Sequence, residues 1–242
     1  METILKGKVQ QIVSISKKEF VKAVRLISLF IILFCSNVSS QVLSPRQKAL
    51  NDIQALKNGV LLVRLATGEH VIKAYKDAAR EDLALEIASQ IAYKNKLIAS
   101  AFKNYFTFCP VYFFYSNYSE FILNNQLDNL VIMNAELIPE AKPQLKTGFY
   151  IAEFARIEAD TTGYWEFYRN KNRSEEGKRE AQLYAGGNSN ISALIIKSDK
   201  FVQLKKPFPY FVKYRPEREQ EREINPKVKM LNEKLLDFYA AK

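Results

Sequence analysis

The sequence predicts an α/β fold: a mixed β-sheet with helices on both faces, in three layers. Two apolar runs and the pattern between them carry that reading. Residues 60–65 read Val-Leu-Leu-Val-Arg-Leu, and residues 106–116 form a longer, aromatic-rich run without a charge. Strands buried on both faces look like this, because a half-exposed strand alternates apolar with polar residues. Between the two runs, from about residue 71 to residue 105, Leu83, Ile87, Ile91, Ile98, Phe102 and Tyr105 recur near helical spacing. Strand, long helix, strand is the unit from which parallel sheets are built. The run at 106–116 is expected to be the central strand.

The elements follow in order. Ser44-Pro45 offers a cap with proline in the first turn, and Gly59 stops a short helix after Ala49, Ile53 and Leu56. Thr67-Gly68-Glu69-His70 is the turn out of the first strand. The long helix, as one piece or two, clusters Glu81, Asp82 and Glu86 early and Lys94, Lys96 and Lys103 late, as its dipole favours. Its apolar pattern has one gap, at Lys94. Ser119 caps a short helix within residues 116–126. Residues 130–133 read as a third buried strand, and Pro139 and Pro143 then mark a loop.

The second half has a different texture. Residues 149–158 form a long strand and residues 164–168 a short edge strand, with a polar loop and the turn Gly186-Gly187-Asn188 beyond. Residues 192–197 and 201–204 suit a hairpin across Ser198-Asp199-Lys200. Pro207 and Pro209 mark an edge segment leading into residues 210–214. The charged run at 216–223 reads as a solvated lead-in to a C-terminal helix over residues 226–239. Val228, Leu231, Leu235 and Phe238 share one face of that helix. This order of elements is compatible with a thioredoxin-like topology.

The N-terminus carries an address. Lys6, Lys8, Lys17, Lys18, Lys22 and Arg25 precede the uncharged stretch of residues 26–35, and small residues follow up to Ser40. A basic region, a short apolar core and a small-residue exit make a secretory signal peptide, residues 1–40, with cleavage before Gln41. The apolar core is too short for a membrane span of about 20 residues. Residues 41–242 then form a single α/β domain. Taking the six basic and two acidic residues of the leader from the whole leaves 30 basic and 24 acidic, a net of +6. The excess is modest and spread out, so no nucleic-acid partner is expected.

Elimination narrows the chemistry. Beyond the leader the chain holds one histidine, His70, and one cysteine, Cys109, too few for an ordinary zinc site. It holds no Gly-x-Gly-x-x-Gly, no Gly-x-x-x-x-Gly-Lys, no Gly-x-Ser-x-Gly and no Cys-x-x-Cys. No metal or cofactor is expected, and Cys109, at the start of an apolar strand, reads as an inert structural thiol. Glu153 is the conspicuous acid: strand alternation sets it on one face with Phe149, Ile151 and Ile157. An inward carboxylate needs a partner or takes a raised pKa; the alternatives are that Arg64 or another strand cation pairs it, or that this face is the exposed one. Glu158 and His70 are the other catalytic candidates. Trp165, Tyr168 and Arg169 are the candidates for stacking on a planar ligand.

These readings combine into a secreted or periplasmic non-catalytic binding or structural protein, with a protein or envelope component as partner. The alternative is a carboxylate-dependent hydrolase or isomerase of the cell envelope. The address is directly testable. Intact-mass measurement of the exported protein should give a chain beginning at Gln41, and residues 1–40 still attached would refute the leader.

Overall fold

The computed structural model describes residues 43–141, 145, 148–158, 191–216, 218 and 220–241. The leader, the strand expected at 164–168, the glycine turn at 186–188 and Trp165, Tyr168 and Arg169 lie outside the described residues. The elements are α1 (Pro45–Asn58), β1 (Val60–Leu65), α2 (Glu69–Asp77), α3 (Glu81–Tyr105), β2 (Val111–Tyr115), α4 (Ser119–Leu123), β3 (Phe149–Arg156), β4 (Ser192–Lys197), β5 (Phe211–Lys213) and α5 (Gln220–Ala240). The five strands form one sheet in the order β2-β1-β3-β4-β5. Strands β2 and β3 both run parallel to β1, whereas β3 with β4 and β4 with β5 are antiparallel. The fold is thus the expected α/β class with a mixed sheet.

Alternation divides the sheet into two cores. Leu61, Val63, Phe113, Ala152, Leu194, Ile196 and Val212 join a large apolar cluster with α1, α3 and α5. Ile53 and Leu56 come from α1, Ile98 and Phe102 from α3, and Ile224, Val228, Leu231 and Leu235 from α5. The opposite face carries Val60, Leu62, Phe114, Phe149 and Ile151 against Ile122 of α4 and the irregular segment holding Leu130 and Ile132. Among the described residues three helices therefore cover one face, and one short helix with extended chain covers the second. Two buried asparagines tie loops to this frame. Asn95 Nδ2 donates to the Ala66 carbonyl at 2.8 Å, and Asn232 Oδ1 accepts from the Thr107 and Phe108 amides at 2.9 and 3.0 Å.

Several boundaries differ from expectation. Strand β2 is not central but lies at the sheet edge, and residues 106–110 are a bend beneath it. The run is apolar because both faces are covered even there: Phe113 enters the large core and Phe114 the small one. Residues 130–133 make no full strand. Met133 alone bridges Phe113, through N–H···O bonds of 2.9 and 2.8 Å. The long helix is two helices, parted by Ala79 at φ +54°. The gap at Lys94 is filled from another element, since its ammonium lies 5.3 Å from the centre of the Tyr214 ring. Residues 201–204 return to β4 only through a Lys197–Gln203 bridge, and the main partner of β4 on that side is β5.

The C-terminal helix starts at Gln220, so Pro226 sits inside it and not at its opening. The charged run is not merely solvated. Glu223 is buried, accepting from the Arg215 amide at 3.3 Å and paired with Arg218 at 3.5 Å and Lys227 at 3.8 Å. Ile224, wholly buried, extends the apolar stripe one turn upstream of Val228. Gly59 and Gly68 are fixed by close approach. A Cβ on Gly59 would meet the Gly148 carbonyl oxygen at 2.7 Å, and Gly68 adopts φ +66° where β1 hands over to α2.

Helix α5 covers the sheet of its own chain, with Leu235 fully buried in the large cluster. Leu235→Ala should lower unfolding free energy by about 2–5 kcal/mol, the range for emptying a core leucine site. Urea unfolding of the two proteins measures it, and an unchanged midpoint would mean that Leu235 is not held in the core.

Candidate functional site

Arg64 is the single charged residue of β1, and it points to the face with the smaller core. Parallel pairing of β1 with β3 brings it beside Glu153, and antiparallel pairing of β3 with β4 sets Lys197 diagonally across on the same face. Arg64 Nη1 donates to Glu153 Oε2 at 2.8 Å, while Arg64 Nε donates to Ser119 Oγ at 2.9 Å. Lys197 Nζ lies 2.9 Å from Glu153 Oε1 and donates to Glu158 Oε1 at 3.0 Å. Phe201 lies beside this group, its ring centre 5.8 Å from the Arg64 guanidinium carbon. The result is an alternating chain of four charges across three strands, formally neutral as a set. Glu153 is 6% exposed and Lys197 9%.

Burial pushes the Glu153 carboxyl up, but hydrogen bonds and charge from Lys197 and Arg64 outweigh it and leave the group below its ordinary value. Burial likewise pulls Lys197 down, and its two carboxylate partners more than reverse that. Both groups are therefore held in their charged forms. Glu158 is anchored at its backbone as well: its amide donates to Gln203 Oε1 at 3.0 Å, and Gln203 Nε2 donates back to the Glu158 carbonyl at 3.3 Å.

Sequence reasoning set Glu153 beside a strand cation, with Arg64 as one candidate; the structure pairs Glu153 with both Arg64 and Lys197 and brings Glu158 to Lys197. The sequence did not single out Lys197 among the strand cations, because the register of β4 against β3 depends on residues far apart in the chain. Strand β3 ends at Arg156, the Ile157 amide bonds the Ile191 carbonyl at 2.9 Å, and the side chain joins the larger core. His70 is exposed in the first turn of α2. Among the described residues no hydrogen bond or ion pair joins it to either carboxylate. Nor do three or more His, Cys, Asp or Glu residues gather there in a group able to hold a metal ion.

A second feature lies at the β2 edge. Phe102 and Phe106 of the α3 end, Cys109, Val111, Phe113 and Ala135 line a cleft of about 230 Å³, with Lys103 at its side. The Pro110 carbonyl accepts from Leu61 of β1, and Phe113 bonds outward to Met133. By strand alternation the N–H and C=O of Val111 point outward too. Among the described residues no hydrogen bond reaches them. Cys109 is buried, and burial pushes its thiol up to about 12 despite the opposing pull of the Lys57 charge and the Leu61 amide. That is an inert sulfur, not a nucleophile. Among the described residues no helix is long and apolar enough to cross a membrane. No protein-family model, no curated protein and no solved structure matches the chain.

The network sets a pH dependence. The lowered value of Glu153 gives stability that is complete above its ordinary value of 4.5 and lost as pH falls through the folded value. The raised value of Lys197 gives stability that is complete below 10.5 and lost as pH rises through its folded value. Urea unfolding from acid to alkaline pH should therefore show a plateau between these limits. Glu153→Gln should lower that plateau by about 3–5 kcal/mol, the effect of removing one partner of a buried pair, and flatten the acid limb. An acid limb identical in the two proteins would place the titration elsewhere.

Proposed function

We propose that this chain is a secreted or periplasmic, non-catalytic binding or structural module that engages a protein or envelope partner. The observation that carries the proposal is the shared ammonium of Lys197. It occupies both acids that a carboxylate-dependent hydrolase or isomerase would use. Such an enzyme keeps one acid ready to give a proton, which requires its carboxyl to be raised toward neutral pH. Glu153 is shifted the other way. The basic and apolar leader supports the extracytoplasmic location. The β2-edge cleft supports binding: at about 230 Å³ it is smaller than a typical small-molecule site, and it suits one or two apolar side chains of an extended segment. Beside it, the outward N–H and C=O of Val111 offer the main-chain bonds by which such a segment adds to a sheet edge.

The experiment is a panel of chromogenic ester, glycoside and amide substrates, run on the exported protein with Glu153→Gln and Glu158→Gln beside it. Turnover at background level in all three is expected. Turnover in the parent protein that disappears in either folded variant would install the carboxylate enzyme instead.

A further inference from the structure

Helix α3 turns one side to the rest of the fold and leaves the opposite side bare. Asp82, Leu85, Ser89, Ala92, Tyr93 and Lys96 are all exposed, and at helical pitch they fall within an arc of about 100°. This is not an ordinary solvated face, since Leu85 is 69% exposed and Tyr93 56%. Asp82, Leu85, Ser89, Ala92 and Lys96 follow one another at spacings of three, four, three and four, the repeat of a coiled-coil seam.

The seam also has a centre. Leu85 lies four residues before Ser89 and Tyr93 four after; Asp82 lies seven before and Lys96 seven after. Residues equidistant from Ser89 are therefore an apolar pair and an opposite-charge pair. A second copy of the helix crossing antiparallel at Ser89 therefore complements this pattern, apolar residue against apolar residue and acid against base.

From this we infer that the outer face of α3 is a self-association surface whose occupant is a second copy of this chain, related by a two-fold axis through Ser89. Each Leu85 meets Tyr93 of the other copy and each Asp82 meets Lys96 of the other copy, so both contacts occur twice, as an isologous interface requires. Small Ser89 and Ala92 at the centre let the helices approach. Asp82 is available for this role: its contact with Arg80 is a loose 3.9 Å between exposed side chains. The seam spans about 21 Å of helix. One helix pair of that length buries less than the standard interface of roughly 1,600 Å², which makes the dimer weak and concentration-dependent.

Sedimentation equilibrium of the isolated chain tests this, with a dissociation constant on the order of 10–100 µM expected. Asp82→Lys or Lys96→Asp alone sets like charges together twice per dimer and should raise the constant roughly tenfold or more. The double variant restores opposite charges and should return it to near the parent value. Under mild oxidation Ser89→Cys should cross-link as a dimer well above the parent chain, and Gln90→Cys, off the seam, should not. A chain still monomeric at about 1 mM, its Leu85 face then serving a different occupant, would overturn the inference. So would a dimer indifferent to the charge exchanges.

Discussion

Strand β1 leaves the fold almost no choice. Val60, Leu61, Leu62, Val63 and Leu65 are all buried, and they alternate between the two faces of the sheet. A strand with apolar side chains on both faces needs a neighbour on each edge and a layer over each face. Parallel β2 and β3 supply the edges. Helices α1, α3 and α5 supply one layer, and α4 with the chain through Leu130 and Ile132 supplies the other. The antiparallel β4 and β5 then extend a sheet whose centre is already enclosed. Helix α5, last in the chain, completes the larger core from the opposite end of the sequence.

Arg64 is the exception in β1, and its charge shapes the smaller face. A guanidinium at the rim of an apolar core needs an anion, and an anion as buried as Glu153 needs more than one cation. Lys197 and Glu158 complete the alternation. Such a network adds little net stability over an apolar replacement, but losing one member leaves an uncompensated charge. Its stronger effect is on register. A one-residue slip of β4 would turn Lys197 into the cluster of Leu194 and Ile196 and leave Glu153 without its second cation. Charge thus fixes a pairing that apolar residues on both faces would leave loosely specified.

What was legible in the sequence was local. The alternation-free run of β1, the Ser44 cap, which accepts from the Gln47 amide at 3.1 Å, and the 3.6-residue stripe of α3 each follow from neighbouring residues. What was not legible needed partners distant in the chain. Asn225-Pro226 looks like a helix opening, yet the helix begins a turn earlier because Ile224 docks in the core and Glu223 finds the Arg215 amide. Ile224 is in phase with Val228, Leu231 and Leu235, and that spacing was the available signal. Strand β2 reads as central because nothing in its own residues tells that Met133 caps its outer edge. For the candidate site, the need of an inward Glu153 for a partner was readable from strand alternation, with Arg64 one candidate among the strand cations. The second cation was not.

The two edges of the sheet then make the functional argument. At the β5 edge the strand is three residues long, Pro207 and Pro209 precede it, Lys213 stands on it, and Lys234 Nζ donates to the Phe211 carbonyl at 3.4 Å. Short length, proline and lysine are the means by which a sheet edge is kept from pairing with another chain. The β2 edge is protected differently. Among the described residues Met133 covers Phe113, and two residues before it Val111 offers its outward amide and carbonyl beside a cleft walled by Phe102 and Phe106. One edge is closed by several devices at once, and the other is closed at one residue and left with an apolar hollow beside it. That asymmetry is what supports the proposal that an extended segment binds at β2 and not at the neutralised charges of the opposite face.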